Sequence, residues 1–184
     1  VRVEGADGNI AYQQSPFMIR NSSGITITDS EFSHAWHGVN MLDNNGVKLE
    51  GNYFHDIRTD GIRGGGNSNV AIDSNLFTDF NPWAGDHPDA IQFWTTGTKA
   101  SASNITVTDN VVIRGEGEAM QGIFIRDELG NLPFKNVNVS GNVVLGGMYN
   151  GISLGHVVGG AVTNNIVAGL GNDTSWIAVA NSTG

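Results

Sequence analysis

Asp29-Ser30-Glu31-Phe32, Gly51-Asn52-Tyr53-Phe54, Ser74-Asn75-Leu76-Phe77, Asp109-Asn110-Val111-Val112, Gly141-Asn142-Val143-Val144 and Asn164-Asn165-Ile166-Val167 are one short polar-to-apolar step written six times. The second position is Asn in five of the six, and successive steps lie 22, 23, 35, 32 and 23 residues apart. An alternating run precedes each of the first five: Ile25 and Ile27, Val47 and Leu49, Val70 and Ile72, Ile105 and Val107, Val137 and Val139. A period of two with one apolar face is a β-strand facing a core.

A second ladder keeps step with the first: His37-Gly38-Val39, Asp60-Gly61-Ile62, Asp89-Ala90-Ile91, Gln121-Gly122-Ile123, Asn150-Gly151-Ile152 and Ser175-Trp176-Ile177. It reads as a polar corner, a small residue passing close to the next coil, and an aliphatic residue entering the core. Two ladders in register predict an all-β parallel β-helix, a solenoid with coils of about 22–35 residues. One coil cannot bury its own apolar stripe, so coils stack at a strand spacing of ~4.8 Å and like residues lie above like. The Asn column then satisfies itself, each amide bonding its neighbours above and below. Residues 17–24 match 39–46, so residues 1–184 read as one β-helix domain entered in mid-solenoid. The expectation is a segment of a longer protein, flanked by further coils or capped by a partner, with self-association as one such arrangement.

Composition narrows the function classes. Gly is 26 of 184 residues, about twice the average of ~7%, while charged residues are only 15%. Hydrophobic residues at 39% still supply a core. The absence of Cys removes disulfides, thiolate metal sites and a Cys nucleophile. A formal charge of -9 argues against nucleic acid and anionic membranes. No apolar run approaches the ~18 residues of a membrane span, and no basic-then-apolar leader opens the chain. The Cys-free, acidic, Gly- and Asn-rich composition suggests a secreted or extracellular protein, or a virion-surface one.

The long coils hold insertions, which in solenoids gather around a binding face. Asp79–Asp89 and Arg114–Gln121 are two, and Thr95–Ala102 is a third excursion. They should wall a groove over the second ladder's outer face. Stacking that ladder gives a corner column of His37, Asp60, Asp89, Gln121 and Asn150. Two outward columns follow, Asn40, Arg63, Gln92, Phe124, Ser153 and then Leu42, Gly65, Trp94, Arg126, Gly155. Two carboxylates ~5 Å apart repel, so Asp60 and Asp89 should hold a proton, bind a cation such as Ca2+, or lean on Arg63. Asp60 and Asp89 also fit an ordinary turn role, and Asp86-His87-Pro88 an ordinary loop. Trp83 and Trp94 either cover loops or stack on sugar rings. Arg126-Asp127-Glu128 reads as a surface ion pair or, if its loop closes, a calcium ligand set. His34, His55 and His156 read as lone outward residues, and Lys48, Asp56 and Arg58 as solvated surface.

The coil pattern resembles the pectate-lyase-like superfamily of right-handed β-helices, which includes polysaccharide lyases, hydrolases, uronate epimerases and phage tailspikes. Trp83-Ala84-Gly85-Asp86-His87-Pro88-Asp89 is similar to the Tyr-Gly-x-Asp-Pro-His-(Asp/Glu) signature of mannuronan C5-epimerases, with His and Pro exchanged and Trp83 at the Tyr position. His87-Pro88-Asp89-Ala90-Ile91-Gln92 resembles a His-x-Asp-Gly-x-Gln stretch of carbohydrate-associated β-helices. The resemblance implies a right-handed coil and a polysaccharide partner. Proton abstraction from a uronate needs a base within ~3 Å and a neutralised sugar carboxylate. His87 would be the base, with Arg63, Lys99 or Arg126 neutralising. Asp86 and Asp89 complete the expected catalytic group, and Asp60, Gln92, Trp83 and Trp94 the binding surface. A hydrolase would instead set two of Asp60, Asp86 and Asp89 roughly 5 Å or 6.5–9.5 Å apart. A non-catalytic glycan-binding or spacing solenoid is the reading from another class.

Overall fold

Each of the six steps turns on a residue with positive φ, from 47° at Asp29 to 70° at Gly141. The left-handed region penalises most side chains, and Gly, Asn and Asp enter it most readily. This is why Asp, Gly, Ser and Asn precede the column of Asn residues. The corner reverses the chain within two residues and starts a new strand.

The computed structural model describes residues 1–5 and 11–184, and it is a stack of about seven coils. Three sheets run its length. Sheet I has seven strands, from Arg2–Glu4 through Glu31–Ala35 to Ile166–Ala168. Sheet II has seven, from Met18–Arg20 through Val39–Leu42, Ile62–Gly65, Asp89–Trp94, Gln121–Arg126 and Asn150–Gly155 to Trp176–Ala180. Sheet III has six, from Ser23–Thr28 to Val157–Thr163. Every pairing between neighbouring strands is parallel. One coil visits sheets III, I and II in turn. The only helical element among the described residues is a single 3-10 turn, Ala11–Gln13.

Stacking like on like fills the interior. Phe32, Phe54 and Phe77 lie with ring centroids 4.9 and 4.8 Å apart and planes 9° and 8° from parallel. Val112, Val144 and Val167 continue that register. Asn52, Asn75, Asn110 and Asn142 each donate Nδ2 to Oδ1 of the Asn on the next coil, the last acceptor being Asn165, at 2.9–3.0 Å. The same oxygens accept the backbone N–H of the coil before. A second such corner, between sheets II and III, joins Asn44 to Asn67 at 2.9 Å. It follows left-handed Asp43 and Gly66, the same polar-then-Asn step. Gly61 on the second ladder shows why that position is small: a Cβ there would lie 2.7 Å from the Phe77 ring and 2.8 Å from the Ala90 carbonyl oxygen.

The insertions flank sheet II on both long edges. Residues 79–88 and 114–120 lie between sheets I and II, and residues 95–102 and 127–133 between sheets II and III.

Candidate functional site

The outward columns of sheet II have the expected register, Asn40 beside Arg63, Gln92, Phe124 and Ser153, and Leu42 beside Gly65, Trp94, Arg126 and Gly155. At the corner, Asp60 and Asp89 are joined by Asp89 N–H donating to Asp60 Oδ1 at 3.2 Å. They are 3% and 0% exposed. Burial, then the neighbouring Asp89 charge, pushes Asp60 up to about 7 despite Arg63. Burial likewise raises Asp89, partly offset by His87, Arg63 and Gln92. Arg63 Nη1 stands 3.0 Å from Asp60 Oδ2, so proton retention and an Arg partner both answer the like-charge problem. Asp89 Oδ1 is buried with no hydrogen-bond partner.

Two imidazoles bracket this pair. Arg63 also donates to His37 Nε2, which leaves the His37 proton on Nδ1, donated to Ser15 Oγ at 2.7 Å. Burial, with Arg63 and Arg58 adding to it, lowers His37 to about 3, so it is neutral at ordinary pH. His87 is different: its side chain is 50% exposed and its Nδ1 lies 3.3 Å from Asp89 Oδ2. Its bond to Asp89 raises its pKa. Gln92 Nε2 donates to the same Asp89 oxygen at 3.1 Å. The Gln121 amide nitrogen lies against the ring, 3.0 Å from Nδ1 and closer to Nε2. With Nδ1–H donated to Asp89, the lone pair of neutral His87 is on Nε2, facing the Gln121 amide.

Asp86 takes another place. It accepts a bidentate pair from Arg58, Nε at 2.6 Å and Nη2 at 2.8 Å, and also the Trp83 N–H at 2.8 Å. The Arg58 bond holds the Asp86 carboxyl below the usual range. The Arg58 guanidinium lies 3.8 Å from the Trp83 ring centroid and 5.3 Å from that of Trp36. Arg58 is thus a strut between coils rather than solvated surface, with side-chain exposures of 15% for it and 14% for Asp86. Sequence reasoning missed it because the two partners are 28 residues apart on different turns.

The opposite wall corrects a further expectation. Asp127 does not pair with Arg126. It is buried, and it accepts Thr95 Oγ1 at 2.6 Å and the N–H groups of Gly130 and Leu132 at 3.1 and 2.8 Å. Burial alone would raise its pKa, but these donors and His156 outweigh it and the net shift is downward. Asp127 therefore closes loop 127–133 and ties it to loop 95–102 with N–H and O–H donors. Arg126 lies 5.6 Å from the Phe124 ring centroid, beside Trp94 on the adjacent coil. Lys99 is exposed on its loop, and the structure does not bring it to the Asp60–Asp89 pair by any hydrogen bond or ion pair among the described residues. His55 is not lone either: it reaches Asp56 at 2.7 Å and Glu31 at 3.1 Å, on sheet I and away from the groove. His34 lies 3.6 Å from Glu4, and His156 3.6 Å from Asp127. No group of three or more His, Asp or Glu side chains among the described residues is placed to hold a metal ion.

The groove holds two hollows. One, of about 340 Å3, is lined by Arg63, His87, Gln92, Trp94, Thr96, Phe124 and Glu128. The other, of about 410 Å3, lies toward the N-terminal coils and includes Trp36, His37, Asn40 and Leu42, with Arg63 and Trp94 again. Arg63 lies 4.8 Å from the Trp94 ring centroid, and this cation–π pair is the partition between them. The structure thus brings Arg63, Asp60, Asp89, His87, Gln92 and Trp94 together, and it sets Asp86, Trp83, Lys99 and Arg126 around them in other roles.

One family model matches the chain. It describes a right-handed beta helix region and covers residues 9–178. The chain belongs to this family. No curated protein and no solved structure matches it closely enough to count as a relative. Membership makes this right-handed β-helix a carbohydrate-active or structural solenoid in general terms.

Proposed function

We propose that this β-helix acts on a uronate-containing polysaccharide laid along sheet II, and that His87 removes the proton at C5 of one sugar. The observation that carries the reading is His87 itself. Half-exposed at the hollow, it is backed by a buried carboxylate and has its lone pair on Nε2, against the Gln121 amide. A general base needs such access and orientation, and the bond to Asp89 raises the His87 pKa. Asp89 is then a positioning residue that fixes the tautomer. Arg63 supplies positive charge for the sugar carboxylate, most fully while Asp60 keeps its proton. A two-carboxylate hydrolase is less well supported, because Asp60 and Asp89 are buried and Asp86 is locked to Arg58.

In this reading the C5–H bond breaks with its proton passing to His87 Nε2. The carbanion either expels the C4 oxygen, which takes a proton from water to become a new chain end and leaves a C4–C5 double bond, or takes a proton from water on the opposite face. The first outcome is a lyase and the second an epimerase. Work outside the cell belongs to the same proposal, since the substrate would be an exported glycan.

The test is incubation with alginate, pectate and glucuronan in D2O, following C5 deuterium uptake by NMR and the unsaturated product by ultraviolet absorbance. His87→Gln should abolish either signal. Glycan binding without deuterium uptake or unsaturation would refute catalysis and leave a binding solenoid.

A further inference from the structure

Asp89, Gln121, Asn150 and Trp176 open four successive strands of sheet II and stand in one column beside His87. A β-bulge sets the last member: Asn150 pairs with Trp176 but Ile152 with Ile177, so Trp176 and not Ser175 is level with Asn150. A chain of hydrogen bonds runs along the column. Trp176 Nε1–H donates to Asn150 Oδ1 at 3.2 Å, Asn150 Nδ2 donates to Gln121 Oε1, and the Gln121 amide nitrogen lies against His87 Nε2. An amide can point either way, and a carboxyl such as Asp89 accepts when ionised and donates when protonated. An indole only donates. Trp176 therefore fixes Asn150, Asn150 fixes Gln121, and Gln121 presents N–H to the imidazole, which leaves the His87 proton on Nδ1.

We propose that Trp176 is a positioning residue for His87, holding its neutral tautomer through the Asn150 and Gln121 amides, and that both amides turn over when His87 takes a proton on Nε2. The inference deepens the function proposed above and rests on it, since it concerns how the same base is held and loaded. Gln121 is 0% exposed, so no water stands in for a lost partner. Against an imidazolium its N–H would face another N–H, so Gln121 must offer Oε1 there and pass its own N–H to Asn150 Oδ1. Asn150 Nδ2 then faces the indole, and the Trp176 N–H is released. Trp176 is 45% exposed, so its N–H exchanges one partner for water at little cost. Asp89 and Asp60 act on His87 from the corner, Arg63 and Glu128 share its hollow, and the Tyr149 ring lies 6.3 Å away. Those groups stay in place when only the indole N–H is removed.

The experiment is 15N NMR of the His87 imidazole and the Trp176 indole in the native chain, from about pH 5 to about pH 9. Neutral His87 should be the Nδ1–H tautomer, and the Trp176 N–H resonance should move with the His87 midpoint. Trp176→Phe keeps an aromatic ring on the bulge and removes the donor. It should raise the His87 pKa by about 0.4–1 pH unit, because one ordinary hydrogen bond no longer opposes the charged form, and it should admit the second tautomer. A Trp176 resonance that stays flat through the His87 titration would overturn the inference, and so would an unchanged or lowered His87 pKa in Trp176→Phe. Neither measurement needs a substrate, which separates this inference from His87 catalysis. Coupled titration in a protein that neither deuterates nor cleaves uronates would sustain the chain and refute the base. Turnover without the coupling would do the reverse.

Discussion

Replacing Asp60 with Asn should make the protein's stability less dependent on pH, in a direction set by where the proton sits. Asp60 in the fold titrates at about 7 against a reference of 3.8, because its carboxyl is buried beside Asp89. In strong acid the group is protonated in both states and its contribution is fully present. As pH rises past the unfolded value the free chain ionises while the folded chain keeps its proton, so stability is lost until the folded carboxyl ionises near 7. Three units at 1.36 kcal/mol each amount to about 4 kcal/mol over that window. Asn keeps an oxygen to accept the Asp89 N–H but has no proton to lose. Urea unfolding of both proteins, followed by Trp fluorescence from about pH 4 to about pH 8, gives the difference directly. The Asn variant should gain roughly 3–5 kcal/mol relative to the native protein across that range. His37, lowered to about 3, shifts in the opposite sense and is present in both proteins. Parallel stability curves would show that Asp60 does not hold its proton in the fold, and would remove the basis for free Arg63 charge near neutrality.

Asn110→Ala should cost about 2–6 kcal/mol, because it orphans the buried Asn75 N–H and Ile72 carbonyl at about 1–3 kcal/mol each. Asn165→Ala, at a partly exposed position, should cost less, and equal urea midpoints for the two variants would count against the corner hydrogen bonds as a stabilising column. Arg58→Gln should cost about 1–3 kcal/mol through the lost bidentate pair and should bring the His87 pKa, read by NMR, back toward 6.5 as loop 79–88 loosens. An unchanged His87 titration in that variant would show that the strut does not position the base.

Much of this protein was legible because its regularity is local. The polar-then-Asn step, the Gly of the second ladder and the alternating strands recur on every coil, and stacking turns sequence spacing into spatial neighbours. The register of Arg63 with Gln92, and of Asp60 with Asp89, followed from counting alone. The second Asn corner, at Asn44 and Asn67, carries the same signal and was readable by the same rule. The insertions broke that rule, and there the reading failed. Arg58 looked like surface and Asp127 like half of an ion pair, since an aperiodic loop does not tell its length of reach. Chain order determined that the insertions flank one face and that two carboxylates lie on adjacent coils. Only the tertiary structure decided that those carboxylates are buried while His87 is open, because burial depends on how the walls fold over them. It also decided that Asp86 belongs to Arg58, for a bidentate pair is set by side-chain geometry across turns that no repeat encodes.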